Sequence, residues 1–129
     1  MRIHHVGYLT KNISKAEAAF AALGYGIERP VKHDSIRQIN ISFMVNDDYR
    51  VELIEPDSKE SPMYPLLKKY KNTPYHFCYI TEDLDKEIEI LKEIGYMVIQ
   101  EPKTAPCIDD KRVCFLMHKD MGIIELVEL

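Results

Sequence analysis

The chain has 129 residues and 15.1 kDa, with 46% apolar and 29% charged residues, the balance of one soluble globular domain rather than of a disordered segment. Seventeen Lys and Arg against 21 Asp and Glu leave a net charge of −4, which gives no electrostatic footprint for nucleic acid, and no apolar run approaches the ~18 residues a membrane helix needs. The first residues, Met1-Arg2-Ile3-His4-His5, lack the apolar core of a signal peptide, so a cytoplasmic address is expected. Three cysteines, an odd count without a Cys-x-x-Cys pair, argue against a disulfide framework or a thiolate zinc knuckle; Cys78 and Cys114 read as small buried hydrophobes.

In chain order, residues 3–9 suit a short strand. Asn12 or Ser14 then offers a helix N-cap, with Ser14 to Glu17 fitting a capping box. Ile13, Ala16, Phe20 and Leu23 follow helical spacing, and Gly24 stands where the helix should stop. Three strands are expected at about 25–32, 36–45 and 49–55, the last two joined by a turn at Asp47-Asp48. Residues 56–74 carry four prolines and a short helical candidate, Leu66–Tyr70, whose Lys68, Lys69 and Lys71 read as a solvated face. A strand opened by His76 follows, then a helix capped by Asp83 or Asp85 with an apolar face at 84, 88, 91 and 94, stopped by Gly95. Strands at about 96–101, 111–118 and 122–128 complete the chain, the last two separated by a turn at Met121-Gly122.

The second succession repeats the first. Residues 5–25 align with 76–96 at an offset of 71 without a gap, and six positions are identical: His5/His76, Tyr8/Tyr79, Thr10/Thr81, Lys15/Lys86, Gly24/Gly95 and Tyr25/Tyr96. Residues 41–45 match 113–117 at offset 72, and 51–55 match 124–128 at offset 73. The expected organisation is therefore a single domain over 1–129, built from two βαβββ modules, 1–56 and 74–129, with a linker at 57–73.

Strand parity points to a shared constellation. Val51 and Leu53 are expected toward the core, which turns Glu52 the other way; Glu125 is placed likewise between Ile124 and Leu126. Ile39, Ile41 and Phe43 are expected on the helices, leaving Gln38, Asn40 and Ser42 on the opposite face. Each module then offers one His on its first strand and one Glu on its last. The set His5, Glu52, His76 and Glu125 suits one divalent ion, Zn, Ni, Co, Mn or Fe, with positions left for water or substrate. Equivalent placement of a Glu inside two otherwise apolar strands needs a shared cause, because an unpaired buried charge costs several kcal/mol. A Glu–His pairing without metal is the structural alternative.

The segments IHHVGY, VELIEP, YHFCYI and FLMHKDMGIIEL, with helices ending in LGY and IGY, resemble the vicinal oxygen chelate superfamily of glyoxalases, bleomycin resistance proteins and extradiol dioxygenases, and within it most resemble the methylmalonyl-CoA epimerases. The resemblance implies an α+β fold in which paired βαβββ modules form a cupped, mostly antiparallel sheet, with His5, Glu52, His76 and Glu125 as metal ligands. Its implied chemistry is metal-dependent proton transfer α to a carbonyl or thioester. Glu125 is the first choice of catalytic base and Glu52 the second. Gln38, Asn40, Ser42, Arg112 and His118 are expected as substrate contacts, Arg112 by a bidentate grip on a carboxylate and His118 as a hydrogen-bond donor. Expected partners are a small-molecule substrate, an acyl-CoA or thiol adduct, and a second copy in a homodimer; nucleic acid and membrane are not expected. Glyoxalase I chemistry on a thiol hemithioacetal and non-catalytic sequestration of a small molecule are the alternatives. The chain departs from the epimerase pattern at Tyr75-His76, where His-His is common. It also departs at 36–45, where some epimerases carry a proton-transferring Glu and this chain has none.

Overall fold

The computed structural model describes residues 1–129, with eight strands and three α-helices. Its contacts divide the chain into two compact units, His5–Tyr75 and a second made of Met1–His4 with His76–Leu129. The segment after residue 56 thus goes with the first unit. Asp57 N–H donates to the Gln38 carbonyl, and Lys11 N–H donates to the Asn72 side chain. The first four residues go with the second unit, where the Arg2 carbonyl accepts from Ile80 N–H.

The first unit contains β1 (Ile3–Leu9, from His5 on), α1 (Ile13–Ala21), β2 (Gly26–Asp34), β3 (Ile39–Asn46), β4 (Tyr49–Pro56) and α2 (Tyr64–Tyr70). Its strand order is β2-β3-β4-β1, antiparallel except for the parallel pair β1 and β4. The second unit contains β5 (Thr73–Thr81, from His76 on), α3 (Leu84–Glu93), β6 (Met97–Ala105), β7 (Lys111–His118) and β8 (Gly122–Glu128). Its order, β5-β8-β7-β6 with β5 and β8 parallel, repeats the first. No helix is long and apolar enough to cross a membrane.

Both module helices start on one device. Asn12 Oδ1 accepts from Lys15 N–H and Asp83 Oδ1 from Lys86 N–H, each at 3.0 Å, so the caps are Asn12 and Asp83 and the Ser14 box is not used. A second acceptor comes from the far end of the module. Glu55 on β4 takes the Ile13 N–H at 2.7 Å, and Glu128 on β8 takes the Leu84 N–H at 3.1 Å. These carboxylates satisfy otherwise orphaned first-turn donors and lie at the positive end of the helix dipole. Gly24 and Gly95 end the turns after the helices at φ +98° and +103°, a region in which a side chain is strained. Leu23 and Ile94, expected on the apolar faces, are exposed because the regular helices end before them, at Ala21 and Glu93.

α1 packs Ile13, with Ala16 and Phe20, against Met44, Val51 and Leu53. α3 packs Leu84, Ile88 and Leu91 against Cys114, Leu116, Ile124 and Leu126. β3 starts at Ile39 rather than 36, since the buried Asp34 carboxylate accepts from Ile36 and Arg37 N–H and closes a turn there. β6 runs on past the expected 101 through Pro102; its one sheet neighbour is β7, so the missing N–H breaks no inner ladder. The start of α2 lies two residues earlier than expected, at Tyr64, with Leu67 buried and Lys68 and Lys69 exposed.

Cys78, Cys107 and Cys114 are all buried and reduced. Burial pushes the Cys114 thiol up to about 11, with the charge of Glu101 adding to the effect and Arg112 opposing it. Iodoacetamide at pH 8 is expected to label none of the three in the folded protein and all three in denaturant, counted by mass spectrometry. Glu55→Ala, which strips the acceptor from the start of α1, is expected to cost about 1–2 kcal/mol in urea unfolding.

Candidate functional site

In the first unit, His5 Nε2 on β1 lies 3.4 Å from Glu52 Oε1 on β4. In the second, His76 Nε2 on β5 lies 3.1 Å from Glu125 Oε2 on β8. All four residues are at most 3% exposed. The parallel strand pairs make this placement possible. Glu52 registers against Gly7 and Glu125 against Cys78, each two residues past the histidine and so on the histidine's face. An aromatic ring backs each pair. Phe43 stands opposite Glu52 and sets its ring edge-on to His5 at 5.4 Å between centroids; Phe115 stands opposite Glu125 and meets His76 at 5.3 Å.

Burying an imidazole and a carboxylate beside phenyl rings is costly unless their charges are compensated. An imidazole nitrogen and a carboxylate oxygen are also the donor types of borderline divalent ions, so each pair offers two donors of that kind. The donor chemistry of the two pairs therefore fits the divalent ion that the sequence suggests.

The expected substrate contacts are placed differently. β3 presents Phe43, Ile41 and Ile39 on the face of His5 and Glu52, while Ser42 registers with Leu53 and Met44 with Val51 on the helix side. The parity expected for β3 is thus reversed. Both faces of this strand are buried, so apolarity alone does not show which one meets the helix. Asn40 accordingly donates to Glu55 Oε1, the carboxylate at the start of α1, and Ser42 is fully buried on the helix side. Gln38 lies in the preceding turn at φ 55°.

In β7 the same reversal applies, since Cys114 and Leu116, of the same parity as Arg112 and His118, pack on α3. Arg112 donates to Asp85 on α3 at 2.8 Å and, more distantly, to Glu128; the hydrogen bond from Arg112 holds the Asp85 carboxyl below its usual range. His118 lies against Tyr96, with ring centroids 4.7 Å apart and planes tilted by 41°, and accepts at Nδ1 from Asp120 N–H. The residues that do back the histidines, Phe43 and Phe115, were not selected from the sequence. Their signal lies inside the second repeat match, where they align with each other as an identity between 41–45 and 113–117.

Residues 4–115 match the model of the Glyoxalase/Bleomycin resistance protein/Dioxygenase superfamily. The chain belongs to this superfamily. Among curated proteins it is 28% identical over 130 residues to the mitochondrial methylmalonyl-CoA epimerase of Bos taurus, an alignment covering 99% of this chain and 73% of the bovine one. The structure superposes on a hypothetical protein, BH1468 of Bacillus halodurans C-125, at a TM-score of 0.87 and 21% identity, covering 99% of this chain and 94% of that one. It also superposes on a variant of Streptomyces coelicolor methylmalonyl-CoA epimerase in complex with 2-nitronate-propionyl-CoA, at a TM-score of 0.85 and 22% identity, again over 99% and 94%. The fold is accordingly the glyoxalase-like one that the resemblance implies.

Phe43 is 2% exposed. Phe43→Ala is expected to cost about 3–5 kcal/mol in urea unfolding, whereas Asn40→Ala, which loosens only the clamp on α1, is expected to cost about 1–2 kcal/mol.

Proposed function

We propose that this protein catalyses metal-dependent proton transfer at the carbon α to a thioester carbonyl, as an isomerase of the methylmalonyl-CoA epimerase kind. The observation that carries the proposal is the recurrence in both units of one buried His–Glu pair, on the face opposite the helices. His5, Glu52, His76 and Glu125 together hold one divalent cation, Zn, Ni, Co, Mn or Fe. When bound, such an ion supplies Lewis-acid stabilisation of negative charge developing on an oxygen beside the reacting carbon.

The protein's own groups do the rest. Glu125 takes the α-proton on a carboxylate oxygen, and Glu52, its counterpart in the other module, is the second candidate for that role. β3 offers no carboxylate on either face, so it supplies no further base. Phe43 and Phe115 keep water from the histidines and fix their ring planes, so that the ligand nitrogens are aimed before substrate arrives. The bovine relative, an epimerase, supports an acyl-CoA as the substrate class.

The test combines metal analysis with deuterium exchange at the α-carbon of acyl-CoA substrates, read by mass spectrometry. The native protein is expected to carry stoichiometric metal and to exchange only with it. His5→Ala is expected to lose metal and exchange together. Glu125→Gln is expected to keep metal while exchange falls by about a hundredfold or more. A metal-loaded protein that exchanges no acyl-CoA yet turns over methylglyoxal with a thiol would reassign the chemistry to a hemithioacetal.

A further inference from the structure

The segment that joins the two repeats has no counterpart in either module, so the duplicated frame does not explain its residues. From Ser61 to Thr81 the chain contains no Asp or Glu and three lysines, Lys68, Lys69 and Lys71, in a protein whose net charge is −4. Lys68 and Lys69 lie in the last turn of α2, and Lys71 follows that helix directly. Lys11, just past the end of β1, joins them. Its N–H donates at 2.9 Å to the side chain of Asn72, the residue after Lys71. All four lysines are exposed, and none of their ammonium groups is engaged in an ion pair.

The negative end of the helix dipole favours cations in the last turn, which accounts for Lys68 and Lys69. It does not account for Lys71, which has φ +64° and ψ −162°, a conformation nearly confined to glycine. After α1 and α3 the positive-φ positions are glycines, Gly24 and Gly95. At the end of α2 the chain bears the strain of a side chain where glycine would remove it, and that side chain is an exposed lysine. Strain of this kind marks a use for the side chain. Between the lysines, Tyr70 is 54% exposed, with Lys69 Nζ 5.1 Å from its ring centroid. Cations beside an exposed ring are the groups that hold a nucleotide, through its phosphates and its base.

We propose that Lys11, Lys68, Lys69 and Lys71 bind the phosphates at the nucleotide end of an acyl-CoA substrate, with Tyr70 against its base. The proposal rests on the acyl-CoA reading given above. Lys11 stands six residues beyond His5, past the far end of β1, on the order of 20 Å along an extended chain. An acyl-CoA carries its reacting carbon and its phosphates at opposite ends of a long arm. Cations so far from the histidine serve the phosphates and not the reacting carbon.

The measurement is α-deuterium exchange on methylmalonyl-CoA and on methylmalonyl-pantetheine, which lacks the nucleotide, with kcat and KM for each. In Lys68→Gln/Lys69→Gln, KM for the CoA thioester is expected to rise by about tenfold or more, with KM for the pantetheine thioester as in the native protein. Lys71→Gly is expected to raise the KM for the CoA thioester severalfold and, by relieving the strain, to raise the urea midpoint. A KM for the CoA thioester that is unchanged in either variant, or that rises equally for both thioesters, overturns the assignment while leaving the proposed function standing. A lowered urea midpoint in Lys71→Gly overturns it as well. If neither thioester exchanges, the proposed function falls, and the patch is decided by calorimetry with coenzyme A and with pantetheine. Binding of coenzyme A that exceeds that of pantetheine in the native protein and weakens in Lys68→Gln/Lys69→Gln upholds it; equal binding in native and variant protein, or none, overturns it. Cosedimentation with phosphatidylserine vesicles tests the other source of phosphate. Vesicle binding that the same double variant abolishes, with coenzyme A binding unaffected, assigns the lysines to a membrane surface and also overturns the proposal.

Discussion

The structure depends on a histidine and a glutamate held at close range inside each unit, on the sheet face that the helix does not cover. An ionisable pair in such a place is a net cost to folding unless hydrogen bonds or a bound ion compensate it. Residues around the pair are those that tolerate this arrangement. Parallel pairing of the first and last strands of a module brings the two side chains together from sequence positions 47 apart in the first unit (5 and 52) and 49 apart in the second (76 and 125). Phenyl rings, which compete for no proton, form the wall behind them.

The opposite face has a separate task. There the last strand of each module reaches back to the start of its helix, through Glu55 in one unit and Glu128 in the other. Residues that looked like cavity polar groups serve this clamp. Asn40 orients Glu55, while Arg112 ties Asp85 on the helix to Glu128 on the strand. A module thus uses two glutamates on its last strand, three residues apart, for two purposes on opposite faces: Glu52 and Glu55, or Glu125 and Glu128. Odd spacing along a strand separates the faces.

Duplication lets each feature be judged against a second copy. Caps, glycine stops, histidine–glutamate pairs, phenyl rings and strand bulges occur twice, so a physical account of one must serve the other. Where the copies differ, the difference is chemical rather than architectural. Arg29 and Gln100, each an isolated match between two register shifts in its strand and opposite Phe43 or Phe115, occupy one backbone position with different charge. Superfamily membership and the close superposition on solved structures agree with the common frame.

Much of the frame was legible in the residues. The offset of 71, the caps, the glycines, the strand spans after each turn and the two His–Glu pairs all follow from local periodicity compared between halves. The lining was not. For β4 and β8 the Glu inside the apolar run, Glu52 or Glu125, marked which parity turns away from the helix, but in β3 the apolar parity, Ile39, Ile41 and Phe43, is the one that does not meet the helix, and the inner part of β7 is apolar on both parities. Reading one parity as core exchanged the roles of Phe43 and Ser42, and placed Arg112 and His118 on the wrong face. The bulges at Arg29 and Gln100 were invisible for a related reason: a register shift is a relation between two strands and leaves no periodic trace in either one.

The sequence by itself therefore determined the order of elements, the doubling of the module and the identity of the paired histidines and glutamates, since these rest on propensity, spacing and repetition along the chain. Only the tertiary structure decided which face of each inner strand meets a helix and which side chains back the His–Glu pairs. Those outcomes depend on cross-strand register and on what packs against each face, and both are contacts between residues far apart in the chain.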